Sequence, residues 1–189
     1  KRGYSVTLAD AGKELGGRLH REATLPGMSE YIRVQDYRAQ QFYKLANVEV
    51  YLESRLNAKE LVEFRADHVA LATGAEWRRD RFDGETDVSV MADSSNPKIF
   101  TPDDIMDGVL PNGPTIVYDE DCYYMGGVIA EKLRTAGIDV TLCTPSELVS
   151  EWATKTSERW RIRAHPMKMG IKIKLAHALT NFDGKSATL

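Results

Sequence analysis

TIVYDEDCYYMGGVIAEKLRTAGIDVTLC, residues 115–143, is the stretch whose reading decides the fold. Thr115 to Tyr118 reads as a short β-run, Met125 to Ala136 as a helix, Gly137 as its stop, and Asp139 to Cys143 as another strand. Parallel neighbours cannot be joined by a tight turn, and a strand–helix–strand crossover of roughly 30 residues is what they require. The stretch therefore predicts an α/β protein with a parallel sheet.

Upstream, Gly113-Pro114 opens this cycle, and Thr101-Pro102-Asp103-Asp104 carries a cap followed by Pro at the first helical position. Residues 76–100 are polar and irregular and read as a linker, which sets a boundary between units 1–96 and 97–189. The first unit repeats the pattern of the second. Ser5 to Ala9 is a β-run closed by Asp10, and Gly12 and Gly16-Gly17 then keep the backbone irregular. A helix is expected from about Ser29 to Ala46, with Tyr31, Val34, Phe42 and Leu45 as its buried stripe. Val48 to Leu52 reads as a strand, Asn57 to Glu60 as a capping box, and Asp67 to Ala75 as a buried-type strand stopped by Gly74. Downstream, a helix is expected over Ser157 to Met169, then a strand over Ile171 to Leu175, and a turn at Asn181 to Gly184.

Composition narrows the class. The 189 residues are 42% hydrophobic and 28% charged, with a net charge of −3. Nucleic-acid binders usually show a basic face, so this balance argues against such a partner. The apolar run Val69-Ala70-Leu71-Ala72 is far short of a membrane span. Cys122 and Cys143 have neither C-x-x-C nor iron–sulfur spacing, and a reducing, cytoplasmic setting is expected. His20, His68, His165 and His177 show no metal-ligand spacing.

Asp10 is the first residue that points to chemistry. In dinucleotide-binding folds an acidic residue about 20 positions beyond the Gly-rich turn ends the second strand, where its carboxylate accepts from both ribose hydroxyls. Counting back that far from Asp10 passes residue 1, so the phosphate-binding glycines are expected upstream, and the first fold is read as N-terminally truncated. The bland alternative is that Asp10 caps a loop. Gly16, Gly17 and Arg18 follow where a backbone could pass close to a cofactor, and Thr73, Gly74 and Ala75 close a strand-to-turn motif. Together these seven residues form the candidate cofactor-binding set, with no catalytic or metal residue assigned.

The stretches Gly3–Asp10, Lys13–Leu19, Leu25–Gly27, Ala72–Ala75 with Trp77, Thr101–Gly108 and Ala130–Gly137 resemble the C-terminal part of the trimethylamine dehydrogenase family. That family includes dimethylamine and histamine dehydrogenases and is related to dienoyl-CoA reductase. The resemblance implies two Rossmann-like FAD/NAD(P)-binding folds, the first binding ADP or FAD. It also implies a parent with an FMN-bearing TIM barrel, a 4Fe–4S centre, and electron transfer to a partner such as an electron-transfer flavoprotein. The isolated chain is expected to carry no cofactor and to be inactive, because the barrel and cluster cysteines are not in it.

The second cycle departs from a working NAD(P)H site. The G-x-G-x-x-G positions fall on Asp121, Tyr123 and Gly126, and Asp119, Glu120 and Asp121 put carboxylates where phosphates would lie. A scaffold role follows for it. A second reading is an NADPH-dependent flavin reductase of the dienoyl-CoA reductase type, and a third is a docking module that binds no nucleotide. Arg78, Arg79 and Arg81 interleave with Asp80, Asp83 and Glu85 and read as a solvated loop. Tyr123, Tyr124, Trp152 and Trp160 read as packing residues.

Overall fold

The computed structural model describes residues 2–79 and 95–189, and the backbone alone of 81–82 and 90–91. The chain forms two compact units, one of residues 1–24 with 28–75 and the other of residues 25–27 with 76–189.

In the first unit, β1 (Val6–Ala9) leads through the glycine loop to α1 (Leu19–Glu22), then to α2 (Ile32–Tyr43), β2 (Val48–Tyr51) and α3 (Ala58–Glu63). β1 and β2 pair in parallel, with Val6 opposite Val48 and Ala9 opposite Tyr51. α3 starts at the expected box, where Asn57 accepts from Lys59 and Glu60 while Glu60 reaches back to the Asn57 N–H. The stripe expected on α2 is shifted in its first turns. Phe42 and Leu45 are half-buried as expected, but Tyr31 and Val34 are exposed, and Ile32, Gln35 and Ala39 are half-buried in their place. Gln35 sets this register, because its amide donates to the Leu15 carbonyl at 3.1 Å and turns that face toward the loop after β1.

The run Asp67 to Ala75, expected as a buried strand, has no strand ladder, and Val69 and Leu71 are exposed. The reason is the missing neighbour. A strand exists through bonds to an adjacent strand, and among the described residues no strand pairs with this run.

The second unit holds β3 (Arg81–Phe82), β4 (Val90–Met91), α4 (Pro102–Met106), β5 (Thr115–Tyr118), α5 (Met125–Thr135), β6 (Val140–Cys143), α6 (Arg159–Lys168), β7 (Lys172–Lys174), β8 (Asn181–Phe182) and β9 (Ala187–Thr188). β5, β6 and β7 form a parallel sheet in that order, so the crossover read from residues 115–143 is present. α5 packs on β5 and β6 with Met125, Ile129, Ala130 and Leu133, which recur at helical spacing and are all buried, as are Val140 and Leu142 of β6. Gly137, with φ +87°, stops the chain just past this helix. β8 and β9 make the expected terminal turn as an antiparallel pair.

Arg79 corrects one expectation. Its guanidinium donates to the Ile99 carbonyl at 2.9 Å and pairs with Asp104 in the first turn of α4, so it is a structural tie instead of a solvated charge. Burial pushes the Asp104 carboxyl upward, but bonds from Thr101 and the Arg79 guanidinium outweigh it and hold the group below the usual carboxylate range. Asp80, Asp83 and Glu85 lie outside the described residues.

Candidate functional site

All seven candidate residues fall in the first unit. Asp10 stands at the C-terminal end of β1, its N–H donating to the Tyr51 carbonyl at 2.9 Å. Its Oδ1 accepts from the Gly12 N–H at 2.7 Å, so the side chain does cap the loop. An ionised carboxylate has roughly four acceptor positions, and this cap uses one. Capping and ribose recognition are therefore compatible in one half-buried side chain.

The loop that follows is shaped by Gly16. Its φ is +118°, and a Cβ there would lie 2.7 Å from both Gln35 Cγ and His20 Nε2. Gly17, at φ +47°, faces open space. The helix α1 starts directly after, with His20 bonded to the Leu15 carbonyl at 2.7 Å.

Arg18 does something the sequence did not announce. Its Nη2 donates to the Ala75 carbonyl at 2.7 Å, which joins the glycine loop to the end of the Thr73-Gly74-Ala75 segment across 57 residues. Its Nε faces Glu22 at 4.0 Å. Thus Arg18 and Ala75 are brought into contact, while Thr73 and Gly74 are exposed beside them, Gly74 at φ +80°. Arg18 holds backbone here, as a planar multi-donor group suits it to do. An Arg paired with a distant carbonyl leaves no periodic trace in a sequence, which is why pattern reading missed it.

In the second unit the loop between β5 and α5 is closed upon itself. Asp119 is buried, and its Oδ1 accepts from the Cys122 N–H at 3.1 Å. Cys122 takes φ +52° to make that turn. A Cβ at Gly126 would come within 2.8 Å of Asp119 Oδ1, so the glycine admits the carboxylate under the helix. Burial pushes the Asp119 carboxyl up to about 7, with Asp121 adding to it, and burial also raises Asp121. A loop amide that could meet a phosphate is thereby given to an internal acid.

Tyr123 and Tyr124 do pack, edge to face with centroids 5.1 Å apart. Trp152 and Trp160 do not: they are 45% and 68% exposed, each with a cation over its ring, Lys155 at 4.0 Å and Arg159 at 4.3 Å.

No family profile matches the chain. Dimethylamine dehydrogenase of Hyphomicrobium sp. (strain x) is 31% identical over 180 residues, which is 92% of this chain and 24% of that protein. Two solved structures superpose over 98% of the chain. 6-Hydroxypseudooxynicotine amine oxidase (HisD) of Pseudomonas geniculata N1 gives a TM-score of 0.90 at 42% identity over 28% of its length. Histamine dehydrogenase of Rhizobium sp. 4-9 gives 0.88 at 43% identity over 29%. The chain thus spans about a quarter of the relatives it matches.

Proposed function

From its homology to a segment of the trimethylamine, dimethylamine and histamine dehydrogenase family, we propose that the chain is the nucleotide-binding and scaffold part of a flavin- and iron–sulfur-dependent amine dehydrogenase. In this reading the first unit holds the ribose end of an ADP-type nucleotide. FMN and a 4Fe–4S centre reside in the TIM-barrel and cluster regions of the parent. Electrons then pass to an acceptor such as an electron-transfer flavoprotein. FMN would accept the electrons of the amine, and the residues of this chain would bind and position the nucleotide.

The observation that carries the reading is Asp10 at the carboxyl end of a parallel strand, beside a loop whose Gly16 tolerates no side chain. Ligands of open α/β sheets lie outside the carboxyl ends of the strands. The residues fit the ribose end of such a ligand: Asp10 has acceptor capacity left after its Gly12 bond, and Gly17 opens toward solvent. Arg18 would fix the loop against Ala75. Phosphate contacts would come from a glycine-rich turn and helix N-terminus elsewhere in the parent. The second unit would be scaffold, because Asp119, Glu120 and Asp121 occupy the loop that pyridine-nucleotide phosphates would need. That occupancy weighs against the NADPH-dependent reductase reading.

Calorimetric titration of ADP into the parent-length protein tests this. Asp10→Ala should weaken ADP about tenfold or more, since a charge-assisted hydrogen bond is worth roughly 1.5–3 kcal/mol. Unchanged affinity would return Asp10 to the role of a loop cap.

A further inference from the structure

The chain has five asparagines, and of these Asn112 alone precedes a glycine. An asparagine side chain is open to attack by the amide nitrogen of the next residue. A glycine there has no Cβ to obstruct the approach and leaves the backbone the widest choice of angles. In a folded chain the outcome turns on whether other bonds hold the two groups, because a held group reacts only after local opening.

Asn112 and Gly113 lie between the buried Pro111 and β5, and both are exposed. Among the described residues neither the Asn112 side-chain amide nor the Gly113 N–H has a hydrogen-bond partner. Gly113 has φ +95°, with no atom within 4 Å of the place a Cβ would take. The ties to the sheet begin on the carbonyl side of Gly113. Its oxygen accepts from the Thr115 hydroxyl at 3.0 Å, and the Thr115 N–H donates to the Asp139 carbonyl at 2.9 Å. Both bonds leave the Gly113 nitrogen uncommitted.

The other candidates are engaged. The Asn47 side chain donates to the Tyr4 carbonyl and is followed by the β-branched Val48. Asn57 caps α3. Asn96 accepts from the Lys98 N–H at 3.0 Å and precedes Pro97, which has no N–H to attack with. Asn181 sits in the β8 ladder ahead of Phe182. Asp-Gly pairs undergo the same ring closure, and two of them are held as well. The Gly108 N–H donates to the Ile105 carbonyl at 3.2 Å, and Asp183 accepts from the Lys185 and Ser186 N–H groups at 2.7 and 2.6 Å. Asp83-Gly84 lies outside the described residues.

We infer that Asn112-Gly113 is a self-modification site at the entry to β5. The Gly113 nitrogen gives up its proton and bonds to Asn112 Cγ, while the Cγ–Nδ2 bond breaks and the NH2 group leaves with a proton as ammonia. Solvent water then adds to one of the two carbonyls of the resulting succinimide and opens the ring, giving aspartate or isoaspartate. Nothing is oxidised or reduced. Either product adds a negative charge, and isoaspartate also inserts a methylene into the main chain ahead of β5.

The test incubates the full chain in heavy-oxygen water at neutral and at mildly alkaline pH, then reads each asparagine-bearing peptide by mass spectrometry after digestion in ordinary water. A synthetic peptide of residues 109–117 is the unstructured reference. The Asn112 peptide should take up one solvent oxygen at a rate within severalfold of the reference and rising with pH. The other four asparagines should stay unlabelled over that interval, and Asp183-Gly184 should lag well behind its own free peptide. Asn112→Gln, which keeps the glycine and its φ, should abolish the labelling with the melting temperature unchanged. Any of three results overturns the inference: Asn112 protected in the folded chain by orders of magnitude against the reference, another asparagine labelled first, or labelling of the same peptide that persists in Asn112→Gln.

Discussion

Replacing Asp119 by asparagine isolates the electrostatic cost of closing the loop between β5 and α5. Asparagine keeps the shape and can still accept from the Cys122 N–H, but it has no charge to bury. In the wild type, burial raises the Asp119 carboxyl from 3.8 to about 7, and Oδ2 has no hydrogen-bond partner. The folded value lies above the unfolded one, so folding takes up a proton between them. Stability from this group is therefore intact below about 3.8, falls as pH rises toward about 7, and is flat above that. A gap of some three units at about 1.4 kcal/mol each gives an upper figure of about 4 kcal/mol. Water penetration and relaxation around the charged form reduce it, so about 2–4 kcal/mol is the working range. Urea unfolding followed by tryptophan fluorescence, run on both proteins from pH 4.5 to 8.5, reads the difference. Asp119→Asn should gain on the wild type steadily across that interval and stop gaining above pH 7.5. Other titrating groups cancel in the comparison, except Asp121, whose coupling broadens the transition. A difference independent of pH would refute the buried-carboxylate argument.

Gly16→Ala should destabilise the first unit by about 1–3 kcal/mol, seen as a lowered melting temperature, because it meets both a positive φ and a steric clash. Gly17→Ala, with open space around it, should cost about 1 kcal/mol through φ alone. Thr101→Ala removes the cap that accepts from the Asp104 N–H and should cost about 0.5–2 kcal/mol, while the isolated chain should purify without flavin absorbance. Leu133→Ala, at a fully buried position of α5, should lose about 2–5 kcal/mol in urea unfolding.

Much of the second unit could be read locally. Its helix, its strands and the glycine after α5 follow from apolar spacing and cap chemistry, which act over a turn or two and so are written in consecutive residues. The boxes at Asn57 and Thr101 are legible for the same reason. Asp10 was legible as a strand-ending carboxylate, and the glycines as necessary irregularities.

What only the tertiary structure decided are the choices that depend on distant partners. Asp67 to Ala75 has the composition of a buried strand, yet a ladder needs a neighbour, and among the described residues no strand pairs with it. The inner face of α2 keeps the expected Phe42 and Leu45 but in its first turns falls on Ile32 and Gln35, where Gln35 finds a carbonyl twenty residues away. Arg18 reached Ala75, and Arg79 reached Asp104, through side chains long enough to span elements that sequence spacing keeps apart. Asp119 reads as one of three loop acids in the sequence, and only packing under Gly126 singles it out, because burial is a property of the assembled fold and sets the cost of its charge.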